Sequence, residues 1–172
     1  SDWIKKVPAL KNYVDQYQLI IVCPDGGFSS WYFDSPVDSS FRYETYVAKE
    51  VPAYIDSHFK TIPDRLHRAI SGLSMGGHGA FFLAIRHNNF FGAVGSMSGG
   101  VDIRPFPDKW DIKKRLGDEK THPENWEKHT VINLANSLKN GELKIIFTCG
   151  VSDFFISVNR ALHQKLLQMK ID

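Results

Sequence analysis

The stretch Gly72-Leu73-Ser74-Met75-Gly76-Gly77 sets the architecture of this chain. It follows a run at residues 67–72 that is typical of a buried strand, and it precedes an apolar run at residues 80–85 that is typical of a helix. A strand, a sharp turn and a helix form the setting in which G-x-S-x-G becomes a nucleophile elbow. A nucleotide-binding loop is the alternative, but G-x-G-x-x-G is absent and no Lys-Ser or Lys-Thr follows.

Each residue of the predicted elbow has a physical role. Gly72 and Gly76 lack side chains, so the strand and the helix can approach closely around the turn. Ser74 then projects its hydroxyl away from the backbone as a nucleophile. Met75 begins the helix, so its N–H has no helical partner and can stabilise an oxyanion. The pattern predicts a serine hydrolase that forms an acyl-enzyme on Ser74.

Length and composition indicate one globular domain. The chain has 172 residues, of which 42% are hydrophobic and 23% charged, and no repeat is visible. The formal net charge of +2 is too small to favour nucleic acid or an anionic membrane as partner. No apolar run approaches the length of a membrane span. Because no metal-ligand spacing such as H-E-x-x-H occurs, we predict no metal and no cofactor.

Apolar runs alternate with amphipathic segments along the chain. This alternation predicts a mostly parallel α/β sheet with right-handed crossovers. Besides the elbow strand, strands are predicted at 18–23, 91–98 and 143–149, and helices at 3–13, 43–59 with a kink at Pro52, 131–138 and 155–169. Cys23 and Cys149 end two separate strand-like runs, so we expect free, buried thiols. The polar segment 101–129 is interpreted as a cap of short helices over the site, with a plain surface excursion as the alternative.

The loop after the first predicted strand is unusually aromatic. Trp31, Tyr32 and Phe33 either plug the top of the core or line an acyl or sugar pocket beside the nucleophile, since ligand sites of open α/β sheets lie at this edge. Phe154 is also predicted to bind substrate. The expected partner is a small-molecule ester.

A serine nucleophile needs a base and an orienting carboxylate. Asp153 follows the last predicted strand, at the same sheet edge as Ser74, where the order Ser, acid, His places the acid. Capping the next helix is the alternative role of Asp153, and Asp102 is the second candidate acid. After Asp153 only His163 remains, inside a predicted helix, and His78 suits packing better than catalysis. We therefore expect the catalytic histidine to lie outside these residues.

Three motifs resemble one known family. They are GLSMGGHGA at residues 72–80, VCPDGG at 22–27 with WYFDS at 31–35, and CGVSDFF at 149–155. They closely resemble the esterase D-like α/β-hydrolases, a group with tributyrin-type, S-formylglutathione, carbohydrate-ester and feruloyl esterases and antigen 85-like acyltransferases. The resemblance implies a three-layer α/β-hydrolase sandwich with Ser74 as nucleophile, Asp153 as acid and the Met75 N–H as oxyanion donor.

The resemblance also implies missing parts. Relatives have a strand and a His-Gly loop before the first helix, and a further strand with a catalytic histidine after the last one. We therefore expect residues 1–172 to be a single but incomplete α/β-hydrolase domain, which needs the remainder of the same protein to complete the sheet and the triad. The expected function is a serine carboxylesterase acting on carbohydrate-linked or short-chain acyl esters. A non-catalytic binding module is the alternative, as are a thioesterase or an acyltransferase within the same chemistry.

Overall fold

A computed structural model describes residues 5–171 of the chain, and a parallel sheet lies at its centre. The sheet contains β1 (Ala69–Leu73), β2 (Ala93–Met97) and β3 (Lys144–Thr148), in that spatial order. Leu73 pairs with Met97, and Met97 pairs with Thr148, so the carboxyl ends of the three strands are level. Three of the four predicted strands are confirmed, each shorter than its apolar run. The α/β fold class is confirmed with them.

The helices lie close to their predicted places. They are α1 (Leu10–Tyr17), α2 (Tyr43–Thr45), α3 (Val51–His58), α4 (Met75–Arg86), α5 (Ile112–Leu116), α6 (Pro123–His129), α7 (Val131–Leu134) and α8 (Ile156–Gln168). Short 3₁₀ turns occupy Arg65–His67 and Ala135–Ser137. Within the helix predicted at residues 3–13, residues 5 and 6 are helical and α1 follows from Leu10, whereas residues 3 and 4 lie outside the described part. In residues 5–171 no helix is long and apolar enough to cross a membrane.

A π-helical turn, Tyr46–Glu50, stands where the kink at Pro52 was predicted. Val51 donates its N–H to Tyr46 O, five residues back, in place of the usual four. Pro52 has no N–H to continue the ordinary pattern. The helical path from α2 to α3 therefore widens by one residue before the proline.

Helix α4 forms the centre of the hydrophobic core. It packs on β1 and β2, and residues 77–85 within it are all buried. Phe81 of α4 meets Phe147 of β3 with ring centroids 5.6 Å apart, so α4 spans all three strands on one face of the sheet. The opposite face is open in the described residues: Leu73 and Ile146 are 59% and 71% exposed there. The third layer implied by the resemblance is therefore not formed by residues 5–171.

The strand predicted at residues 18–23 is wrong. The segment has no regular secondary structure, and the apolar side chains at positions 19–22 are 40–49% exposed. A strand is defined by the neighbour with which it shares backbone hydrogen bonds, and an apolar run alone supplies no neighbour. No strand among the described residues lies beside it or beside the free edge of β1.

The segment predicted as a cap contains two short helices, α5 and α6. Ile103, Ile112, Leu116 and Trp126 of this segment are fully or almost fully buried, so one side of it belongs to the core. Its role as a lid over the site stays a prediction. Both cysteine thiols are free, as predicted. They are half-buried, whereas full burial was predicted.

Candidate active site

Ser74 stands at a strained corner between β1 and α4. Its backbone has φ 57° and ψ −116°, a conformation that residues other than glycine rarely adopt. Two hydrogen bonds fix the corner: Ser74 N–H donates to Met97 O at 2.9 Å, and His78 N–H donates to Ser74 O at 3.0 Å. Ser74 is exposed. A strained, exposed serine at the carboxyl end of a parallel strand is the geometry predicted for a nucleophile elbow.

The two glycines of the motif are not equivalent. A Cβ on Gly72 would lie 2.3 Å from both the C and O atoms of Gly76, a collision with rigid backbone. A Cβ on Gly76 would meet only the hydroxyl of Tyr32, at 3.8 Å. The close approach that the sequence predicted is real, but it requires glycine only on the strand side.

Helix α4 directs its N-terminus at the same corner. Met75 is its first residue, and the first N–H groups of a helix have no partners within the helix. These groups carry the positive end of the helix dipole. The geometry thus places the Met75 N–H beside Ser74, where it can act as the predicted oxyanion donor.

Asp153 lies at the same edge of the sheet, in the turn that links β3 to α8. Its N–H donates to Gly150 O at 3.0 Å, and its Oδ1 accepts the Phe155 N–H at 2.8 Å. Phe155 is the N-cap residue of α8 and no side chain caps that helix, so Asp153 holds the turn before α8 and does not fill the alternative role of helix cap. A carboxylate has a second oxygen, so holding this turn and orienting a histidine are compatible. Two strand spacings of about 4.8 Å separate the ends of β1 and β3, which leaves room for an imidazole between Ser74 and Asp153.

Asp102, the second candidate acid, is occupied by another partner. Arg104 donates to Oδ1 from Nε at 2.9 Å and to Oδ2 from Nη2 at 2.8 Å. This bidentate pair, with a further contact to Glu127, raises the pKa of Arg104. Both oxygens of Asp102 are engaged, which leaves Asp153 as the better candidate.

None of the seven histidine side chains of the chain hydrogen-bonds to the side chain of Ser74 or Asp153. His78 is fully buried, and its Nδ1 lies 2.9 Å from Gly100 O. Burial, followed by the charge of His129, lowers the pKa of His78 to about 4. His163 is exposed on α8, as predicted. The described residues 5–171 thus contain no placed base, and no group of three or more metal-ligating side chains among them could hold an ion.

The predicted aromatic residues separate into two sets. Trp31 and Phe33 are 2% and 0% exposed and pack around His78 with ring centroids 5.2 and 5.4 Å away, so they contribute to the core. Tyr32 and Phe154 are accessible, so they remain the residues predicted to bind substrate. Tyr32 lies over the start of α4, where a Cβ on Gly79 would strike its ring, and burial followed by the charge of Asp25 raises its pKa.

Phe154 is the second accessible aromatic residue, and Trp110 supports it. Phe154 is 61% exposed, and its ring stacks on Trp110 at 5.6 Å with an interplanar angle of 29°. Trp31 Nε1 donates to Trp110 O at 3.3 Å, which ties the pair to the core. No role was assigned to Trp110 from the sequence, where its position among charged residues was the available signal. Because Phe154 is the residue after Asp153, the two stacked rings form an apolar surface next to the candidate acid.

With this geometry in place, comparison with known proteins is informative. The model of the family described as "Putative esterase" matches residues 8–169. The chain belongs to this esterase family. The predicted resemblance to esterase D-like α/β-hydrolases is therefore confirmed.

Individual relatives of the chain support its membership of this family. The S-formylglutathione hydrolase of Bos taurus is 26% identical over 167 residues, which are 86% of this chain and 58% of that protein. A solved ferulic acid esterase is 29% identical with a TM-score of 0.65 over 82% of this chain and 53% of its own. A fluorophosphonate-binding serine hydrolase of Staphylococcus aureus, 19% identical, shares the fold with a TM-score of 0.81 over 99% of this chain and 67% of its own. The chain thus spans little more than half the length of the bovine relative.

Proposed function

We propose that the protein containing this chain is a serine carboxylesterase that forms an acyl-enzyme on Ser74. The observation that carries the proposal is the exposed, strained Ser74 at the carboxyl end of β1, level with the end of β3 that leads to Asp153. The esterase family supports ester hydrolysis as the reaction class. The serine mechanism and the substrate are our inference from the site.

The reaction follows from the elbow geometry. The Ser74 hydroxyl attacks the ester carbonyl while a histidine accepts its proton, and Asp153 orients that histidine. Charge develops on the carbonyl oxygen, and the Met75 N–H stabilises it. The histidine returns the proton to the departing alcohol, and water then releases the acid from Ser74 by the reverse steps.

We propose that the histidine and further strands come from the remainder of the same protein. No imidazole of the described residues contacts Asp153, and both edges of the three-stranded sheet lack a neighbour within residues 5–171. A groove of about 500 Å³ runs along the free edge of β3, lined by Ile146, Phe147, Cys149, His163 and Leu167 among others. An added strand would bury this apolar surface and satisfy the open backbone groups. A homogeneous species of 19.6 kDa that unfolds cooperatively as an active monomer would contradict this part.

Labelling with a fluorophosphonate tests the nucleophile, because the probe reacts with activated serines. The complete protein should label at Ser74, and Ser74→Ala should abolish both labelling and hydrolysis of p-nitrophenyl acetate. Ser98→Ala is the matched control, since Ser98 follows β2 at the same sheet edge. Absence of labelling in the intact, folded protein would favour the alternative of a non-catalytic binding module.

Substrate class is the second part of the test. Exposed Phe154 and Trp110 favour an ester with a ring in its acyl or alcohol part, such as a carbohydrate-linked ester. The bovine relative is named for a thioester substrate, so an acyl thioester and an acceptor alcohol belong in the same assay. Faster turnover of the thioester than of every oxygen ester would identify a thioesterase instead.

A further inference from the structure

We infer that His78 and Asn159 are positioning residues that join the helix after Ser74 to the helix after Asp153 through the backbone of Gly99 and Gly100. The inference rests on the proposed serine mechanism, in which the nucleophile and the acid must keep a fixed separation. They stand on strands that are not adjacent, since β2 lies between β1 and β3. The loop that follows β2 is therefore the natural place for a link between them.

The nucleophile side of the link begins at the elbow. His78 donates its backbone N–H to Ser74 O at 3.0 Å, and its Nδ1 lies 2.9 Å from Gly100 O. A carbonyl oxygen accepts only, so Nδ1 carries the proton. Trp31 and Phe33 meet the fully buried ring edge-on and fix its orientation. Movement of the loop at Gly100 is therefore transmitted to the first turn of α4.

The acid side of the link begins at the carbonyl of Gly99. Asn159 is 3% exposed and donates from Nδ2 to Gly99 O at 2.8 Å and to Phe155 O at 2.9 Å. Phe155 in turn donates its N–H to Asp153 Oδ1 at 2.8 Å. One amide group thus holds both the loop after β2 and the residue that fixes the Asp153 carboxylate.

Direct backbone contact makes this link stiff. A Cβ on Gly99 would collide with Ser96 Oγ and would lie 3.0 Å from Gly77 C and 3.2 Å from His78 N, so the loop packs closely against the first turn of α4 with the Ser96 hydroxyl beside the contact. Gly99 and Gly100 are consecutive, so their two carbonyl groups belong to successive peptide planes that meet at the Gly100 Cα. A continuous run of hydrogen bonds and covalent bonds therefore leads from Ser74 to Asp153, through buried groups at every step between them.

Packing alone does not account for these side chains. His78 Nε2 and Asn159 Oδ1 are buried and have no hydrogen-bond partner among the described residues. Phenylalanine and leucine would fill similar volumes without burying an unpaired polar atom. The polar groups are explained by the two carbonyls that they hold. His78 is not the missing base, because Nε2, the nitrogen that could accept a proton, is buried and makes no hydrogen bond to the Ser74 hydroxyl.

Four variants of the complete protein test the link. His78→Phe keeps a ring and removes the donor, Asn159→Leu keeps the volume and removes the donor, and the double variant combines them. His78→Asn returns an amide donor near the position of Nδ1. His58→Phe is the matched control, because it makes the same change at an exposed site at the end of α3, outside the groove beside β3.

We expect each single variant to lower kcat about 10- to 100-fold with little change in KM, since a small displacement of reacting groups acts on the transition state. The midpoint of the pH–rate profile should not move. The double variant should lose less than the product of the single losses, because both changes break one path. His78→Asn should recover most of kcat. Folded single variants with wild-type kcat, multiplicative losses or a shifted pH midpoint would overturn the inference.

Hydrogen exchange gives a readout that needs no activity. His78→Phe should raise exchange in residues 153–159, and Asn159→Leu should raise it in residues 74–78, each far along the chain from the change. Purely local changes would overturn the link even where kcat falls. If the wild-type protein hydrolyses no ester, the proposed function fails, and this exchange comparison still decides whether the two helices are coupled.

Discussion

Replacement of Gly72 by alanine is the sharpest test of the elbow geometry. The new Cβ would lie 2.3 Å from the C and O atoms of Gly76, and neither backbone atom can rotate away. Strand β1 and helix α4 must then separate by roughly 1 Å to restore an ordinary carbon–carbon contact. Such overpacking typically destabilises a protein by about 1–3 kcal/mol.

The same shift displaces the nucleophile. Ser74 joins the two elements that separate, so its hydroxyl moves relative to Asp153 and the Met75 N–H. A displacement of about 1 Å can lower turnover by about 10²-fold. We therefore expect Gly72→Ala to lower kcat at least that far, and to lower the midpoint of thermal unfolding by roughly 2–12 °C.

Gly76→Ala is the matched control within the same motif. Its Cβ would meet only the Tyr32 hydroxyl at 3.8 Å, an ordinary contact, and alanine favours the helix by about 0.5–1 kcal/mol over glycine. Thermal unfolding followed by circular dichroism, together with p-nitrophenyl acetate hydrolysis, measures both effects. Equal losses in the two variants would refute the reasoning, because the pattern G-x-S-x-G treats the glycines alike and the geometry does not.

Three further predictions concern the acid, the substrate surface and pH. Asp153→Asn should lower kcat about 10⁴-fold, by analogy with other serine triads, whereas Asp102→Asn should leave kcat nearly unchanged; the reverse order would exchange their roles. Phe154→Ala should raise KM for ring-bearing esters at nearly constant kcat. Phe155→Ala removes a buried ring instead and should destabilise the fold by about 3–5 kcal/mol. Equal KM for ring-bearing and linear esters would contradict a ring-binding surface. Burial lowers the pKa of His78 to about 4, so the unfolded chain takes up a proton first as pH falls. This group therefore contributes roughly 3 kcal/mol of stability above pH 6.5, which is lost between about pH 6.5 and 4. Urea unfolding should show the stability of wild type relative to His78→Asn fall by that amount over this range and stay constant below it; a pH-independent difference would contradict the prediction.

The local parts of the fold were predictable from the sequence. The elbow is built from neighbouring residues, so an apolar run, a glycine-flanked serine and a helical pattern specify it over fewer than twenty positions. Strands β2 and β3 were recognised in the same way. Asp153 could be selected because parallel strands end at a common edge, whatever their separation along the chain. The family resemblance added the roles of these residues.

Other features depend on contacts between distant segments. Residues 18–23 have the composition of a strand, yet they form none because no neighbour lies beside them in the described residues. Trp31 and Phe33 looked equally suited to a pocket or a core, and packing around His78 placed them in the core. The difference between Gly72 and Gly76, and the link from His78 to Asn159, exist only in three dimensions. Periodicity reports which side chains favour burial, whereas hydrogen-bond partners and steric clearance follow from how the elements meet in space.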